Sequence, residues 1–166
     1  MASWGKVDFS QFTDFQRKLQ RLENASLNEF CEQCAKELAA RLMRKVLKRT
    51  PVGEYDDGRI GGTLKRGWSA SNDREAELSA VFGGGTSASK YVNDLPVTRS
   101  GNTYQIEIVN PVEYASYVEF GHRTRNHKGW VRGRFMLTIS EKEIQSITPA
   151  LLEKRLNEYL KGVFDD

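Results

Sequence analysis

Two cysteines and two histidines are the side chains in this 166-residue sequence best suited to holding a metal or starting a nucleophilic reaction. Cys31 and Cys34 form a C-x-x-C, and His122 and His127 could in principle complete a Cys₂His₂ set. The surroundings argue against that chemistry. Both cysteines fall inside a long helical pattern at core-facing positions, where a free thiol behaves as a small apolar side chain. A redox pair of the thioredoxin kind sits at a helix start after a strand, and no strand precedes Cys31. The histidines are flanked by Arg123, Arg125 and Lys128, whose charge opposes a dication. Glu119, three residues before His122, and Asp56-Asp57 in another loop could be assembled on paper into a small metal-dependent hydrolase. No H-E-x-x-H, G-x-S-x-G or P-loop spacing is present, and Gly83-Gly84-Gly85 lacks the Lys-Ser/Thr of a phosphate cradle. The expectation is a protein with no enzymatic activity, no cofactor and no metal.

Residues 121–134 (GHRTRNHKGWVRGR) carry the strongest local signal. They contain five Lys and Arg, both His and no acid, and Trp130 stands among them as a flat apolar anchor. Arg and Trp are enriched where binding energy concentrates. The segment therefore reads as a partner-binding loop, or alternatively as a contact for nucleic-acid phosphates. Another cationic run, Arg41, Arg44, Lys45, Lys48 and Arg49, ends a helix, where positive charge is favoured by the helix dipole.

These segments need elements to hold them. Phe9, Phe12, Phe15, Leu19 and Leu22 recur at helical spacing and predict an N-terminal helical arm over about 8–24. Ser26 with Glu29 reads as a capping box opening a second helix. That helix carries Leu27, Phe30, Cys31, Cys34, Leu38, Leu42 and Val46, and Thr50-Pro51 stops it. A helix this long is expected to form a spine against a sheet. After a glycine-containing loop (51–63), Leu64, Arg66, Trp68 and Ala70 alternate as in a strand. Residues 77–82 are compatible with either helix or strand, and 72–95 reads as a flexible insertion around GGGTSAS. Leu95–Thr98, the turn Ser100-Gly101-Asn102 and the alternating Tyr104, Ile106 and Ile108 predict a hairpin. Residues 112–120 predict a short helix ended by Gly121. Two C-terminal helices follow, with a break and restart at Thr148-Pro149. The expected fold class is α+β: a small antiparallel sheet packed on a long N-terminal helix and C-terminal helices, in one domain spanning 1–166.

Composition bounds the function classes. The hydrophobic share is 39%, and 25 Lys and Arg face 22 Asp and Glu for a formal charge of +3. That balance alone points to neither nucleic acid nor a membrane. The longest uncharged run in the middle of the chain, Leu78 to Ser89, has 12 residues, too few to cross a bilayer. The start, MASWGKVDFS, is not that of a secretion signal, so cytoplasmic synthesis is expected.

Two groups of residues together resemble a known family. One is Thr50-Pro51-Val52 followed by Gly62-Thr63-Leu64-Lys65-Arg66-Gly67-Trp68. The other runs from Asn110-Pro111-Val112 through Tyr114-Ala115-Ser116-Tyr117-Val118-Glu119-Phe120-Gly121-His122 and closes with Gly133-Arg134-Phe135-Met136-Leu137. Together they are similar to the minor tail components of long-tailed bacteriophages, the tail-completion or tail-terminator group. Arg123 to Trp130 looks most like members from contractile-tailed phages and defective prophages of Gram-positive bacteria. The resemblance covers about 40–162, with a longer first loop than usual and with 72–95 as an added segment. It implies a structural virion protein, assembled in the host cytoplasm, that forms a homo-oligomeric ring, a hexamer in many such proteins. The ring would sit at the head-proximal end of the tail, ending tube growth or joining tail to head. Its partners would be copies of itself, the tail-tube or sheath protein, and a neck or head-completion protein, with non-specific contact to DNA in the lumen and no membrane. On this reading the partner-binding residues are Tyr114, Tyr117, Glu119, His122, Arg123, Arg125, Lys128, Trp130, Arg132 and Arg134.

Overall fold

In the computed structural model, which describes residues 17, 20, 25–58, 61–68 and 94–164, the apolar spacing after Asn24 becomes one helix, α1 (Ala25–Arg49). Ala39, Ala40, Met43 and Val46 form its buried core stripe, and Cys34 is buried on the other side of the helix. Ser26 is already helical, one residue inside the start, rather than standing before it. Thr50 closes α1: its amide (2.9 Å) and its hydroxyl (2.8 Å) both donate to the Val46 carbonyl, and Pro51 prevents another turn. Arg17 and Gln20, within the expected N-terminal arm, are helical; the rest of that arm and nearly all of 72–95 lie outside the described residues.

The strand expected at 64–70 is a helix, α2 (Thr63–Gly67). Its buried positions are Leu64, Gly67 and Trp68, a helical spacing. The alternation in the sequence misled because Gly67 is buried without a side chain to announce it. A Cβ on Gly67 would lie 2.2 Å from Asn110 Oδ1 and 2.6 Å from Val112 Cγ2. Only glycine permits that approach, and the Asn110 amide uses it to donate to the Leu64 carbonyl at 2.9 Å.

Among the described residues two separate two-stranded antiparallel sheets follow, rather than one. The first joins β1 (Thr98–Ser100) and β2 (Thr103–Gln105) in the register Thr98↔Gln105 and Ser100↔Thr103. Gly101 takes φ 58° in the two-residue turn. The expected alternation continues past the pairing: Ile106 and Ile108 are half-buried against the core, while Glu107 and Val109 are exposed. Helix α3 (Ala115–Phe120) ends where expected, at Gly121 with φ 86°. Residues read as a basic loop instead form the second hairpin, β3 (Gly121–Arg123) with β4 (Trp130–Arg132).

The C-terminal region is a single helix, α4 (Met136–Phe164), with Pro149 inside it, so the expected break does not occur. Helix α4 runs antiparallel along α1 and fastens to it on both sides of the proline. Before it, Lys45 Nζ donates to Glu143 Oε2 at 2.6 Å, Arg49 pairs with Glu143 Oε1, and Arg49 donates to Ser140 Oγ at 3.1 Å. After it, Arg155 pairs with Glu37 at 2.7 Å and Tyr159 stacks on Phe30 with centroids 4.6 Å apart. The long helix is thus a spine for α4 more than for a sheet. The core joins Met43 and Val46 of α1, Leu64 and Trp68 near α2, Val112, and Met136 at the start of α4.

Candidate functional site

Helix α3 sorts its side chains by spacing. Ala115 and Val118 pack on the core and Glu119 is buried. Tyr114, Tyr117 and Phe120, three residues apart, face outward. On the hairpin, Trp130 and Val131 are exposed as well, on opposite sides of the ribbon. Tyr117, Phe120 and Trp130 are 59%, 61% and 63% exposed, which is high for large apolar rings and marks a surface rather than a core. Tyr117 also meets the His122 ring, with centroids 5.8 Å apart. The Nδ1 of half-buried His122 is enclosed without a hydrogen-bond partner among the described residues.

The hairpin is firmly seated. A Cβ on Gly121 would lie 2.4 Å from the Val131 carbonyl oxygen and 2.9 Å from Trp130 Nε1, so the indole lies across a position that must stay bare. A Cβ on Gly133 would lie 2.3 Å from the Glu119 carbonyl oxygen. That approach lets the Arg134 amide donate to the Val118 carbonyl (2.8 Å) and the Phe135 amide to that of Glu119 (3.0 Å). The tip is braced internally. Thr124 Oγ1 donates to Asn126 Oδ1 (2.7 Å) and accepts the Gly129 amide (2.9 Å), while His127 closes the turn at φ 57°. The tip therefore holds its own shape while Arg125 and Lys128 project from it.

Arg123, Arg125, Lys128, Arg132 and Arg134 are all exposed. Among the described residues, none has a carboxylate within ion-pair reach. This contrasts with the cationic end of α1, where Arg41 is spent on Glu37 and Lys45 and Arg49 on Glu143.

Glu119 has a different task from the one its sequence neighbours suggested. It is 6% exposed, and its carboxylate accepts the amides of Leu137 (3.0 Å) and Thr138 (2.9 Å) and the Thr138 hydroxyl (2.8 Å). Those amides are the second and third of α4, the donors an N-cap side chain normally satisfies. Phe135, at the cap position with φ 51°, has no acceptor to offer. Glu119 supplies one from α3 and so welds α3 to α4. Phe120 and Val131, by contrast, are exposed although neither stood among the expected contact residues. The three-residue spacing of Tyr114, Tyr117 and Phe120, opposite Ala115 and Val118, was the available signal.

The cysteines lie on α1 and the histidines on the distant hairpin, and among the described residues no three His, Cys, Asp or Glu side chains gather. Cys34 lines a groove of about 600 Å³ between α1 and α4, with Phe30, Glu37, Arg155 and Tyr159. Burial pushes the Cys34 thiol pKa up, with Cys31 and Glu37 adding to the shift, which disfavours the nucleophilic thiolate. Glu37 in the same groove is held below its ordinary range, first by its hydrogen bond from Arg155 and then by Arg41. Among the described residues no helix is long and apolar enough to cross a membrane.

Residues 13–94 match the family model described as "Bacteriophage HK97-gp10, putative tail-component". The match takes in Thr50-Pro51-Val52 and Gly62 to Trp68 and runs through the segment read as an insertion; the runs within 110–137 lie beyond it. The chain thus carries a bacteriophage tail-component pattern over that span, in agreement with the resemblance seen in the sequence, and the match supports a structural role in a phage tail. No curated protein and no solved structure matches the chain.

Proposed function

We propose that this chain is a non-enzymatic virion subunit that forms a ring at the head-proximal end of a phage tail, where it ends tube growth or joins tail to head. Its docking surface on this reading is the outer face of α3 with the β3–β4 hairpin. The observation that carries the reading is the exposed set Tyr117, Phe120 and Trp130 on a braced scaffold, bordered by cations that make no ion pair among the described residues. Covering large rings that stand in water at this density lowers the free energy, and Arg beside them supplies directional pairing to carboxylates. Such a surface suits a neighbouring copy, the tube or sheath protein, or a neck protein.

The test is genetic and visual. Deleting the gene should give overlong tails, or tails without heads, under the electron microscope. Phe120→Ala with Trp130→Ala should give the same defect while the purified variant keeps the parent's circular dichroism. Normal-length, head-attached tails in the deletion would refute the reading. The exposed cations also favour a second role, screening DNA that passes through the lumen. Filter binding across salt examines it, with sequence-independent binding at about 50 mM that fades steeply as salt rises. Absence of binding at low salt removes it.

A further inference from the structure

The charge of this chain is unevenly divided. With the five hairpin cations set aside, 20 Lys and Arg face 22 Asp and Glu, so the rest of the chain is net acidic. Residues 51–58 (PVGEYDDG) hold three acids and no base. Val52 and Tyr55 are exposed large apolar residues in that loop, and Glu54 and Asp56 are exposed beside them. Neither Glu54 nor Asp56 makes an ion pair among the described residues, so the loop and the hairpin do not neutralise each other within one molecule. The loop is the chemical complement of the hairpin: carboxylates with apolar side chains against cations with aromatic rings.

Position adds to this. The loop leaves the C-terminal end of α1, which lies against the first turns of α4 through Arg49 and Ser140. The hairpin is seated on that same end of α4 through Gly133, Phe135 and Glu119. Both segments therefore stand at one level along the α1–α4 pair. A head-to-tail contact that closes into a ring joins two different patches without axial rise, a condition these segments meet where the α1–α4 pair lies along the ring axis.

We infer that the β3–β4 hairpin of one copy docks on the 52–56 loop of the next copy, with Arg123, Arg125 and Lys128 pairing to Glu54 and Asp56 and Trp130 packing beside Val52 and Tyr55. This rests on the ring reading above but assigns its subunit interface. Sedimentation equilibrium of the full-length protein, up to millimolar concentration at low salt, tests it. The wild type should self-associate. A hairpin variant (Arg123→Glu, Arg125→Glu, Lys128→Glu) and a loop variant (Glu54→Lys, Asp56→Lys) should each associate about 100-fold or more weakly, because like charges then face each other. Mixing the two should restore association, since every hairpin–loop contact is again of opposite sign. A monomeric wild type, loop reversal without effect, or a mixture as weak as its components would overturn the proposal. Self-association indifferent to the loop would sink this interface and leave the ring standing. Normal tails in the gene deletion would sink the ring reading itself.

Discussion

Glu119 offers the sharpest check on the separation of scaffold from surface. Its carboxylate takes three donors within 3.0 Å, two of them the N2 and N3 amides of a 29-residue helix, in a site 6% exposed. Loss of an N-cap acceptor costs about 0.5–2 kcal/mol. A hydrogen bond to a charged group contributes about 1.5–3 kcal/mol, and each buried donor left unpaired costs about 1–3 kcal/mol. Relief of the carboxylate's own desolvation and entry of water offset part of this, so Glu119→Ala should lose about 2–4 kcal/mol. Glu119→Gln keeps one oxygen for Thr138 but turns an amide toward the Leu137 N–H, and should lose about half as much. With a urea dependence of about 2 kcal/mol per M, the Ala midpoint should fall by about 1–2 M and the Gln midpoint by less, at unchanged slope. An Ala midpoint within about 0.3 M of wild type would refute the capping role.

Two further predictions concern the scaffold. Gly133→Ala places a Cβ 2.3 Å from the Glu119 carbonyl oxygen and 2.5 Å from the Phe120 carbonyl carbon, both backbone. The strand must lift off α3, at about 3 kcal/mol or more, lowering the thermal midpoint and shifting Trp130 emission; a midpoint equal to wild type would contradict the close approach. Glu37 gives a pH dependence. Arg155, then Arg41, holds its pKa below the ordinary 4.5 in the folded state. The stabilisation is complete above the unfolded value and is lost as pH falls through the folded one, so wild-type urea midpoints should drop from about pH 5 downward. Glu37→Gln should flatten that drop, and parallel curves for the two proteins would count against it.

How much of this was legible in the sequence depended on whether a residue's partner lay nearby in the chain. Helix α1, the Gly101 turn and the Gly121 helix end follow from spacing and backbone preference alone. Pro149 did not, because a mid-helix proline costs about 3 kcal/mol and reads locally as a stop. It is tolerated where Glu143 pairs with Lys45 and Arg49 on one side and Arg155 pairs with Glu37 on the other. These contacts span about 100 residues, beyond any local pattern. Glu119 was misleading for the same reason. Its acid among aromatics suggests a partner contact, and only the fold brings the uncapped start of α4 beneath it. A trace existed in the absence of Ser, Thr, Asp or Asn before Met136, which signals a helix in need of an acceptor from elsewhere.

The runs that carry the family resemblance turn out to be joints. Trp68 Nε1 donates to Thr50 Oγ1 at 2.8 Å, locking the end of α1 to α2. Asn110 binds the Leu64 carbonyl and receives the Val112 amide at 3.2 Å, locking α2 to the segment before α3. Glu119 and Gly133 lock α3 to the hairpin and to α4. Each joint uses a residue type that few others can replace: a buried donor, a bare backbone, or an acid at a helix start. The rings and cations offered to partners lie between these joints on outward positions, where substitution leaves the joints intact. A shared pattern of this kind therefore reports a shared scaffold, while on the proposed reading the choice of partner would rest with Tyr117, Phe120, Trp130 and the surrounding arginines. The same division predicts that this surface can be altered residue by residue, as the interface tests require, without unfolding the protein that carries it.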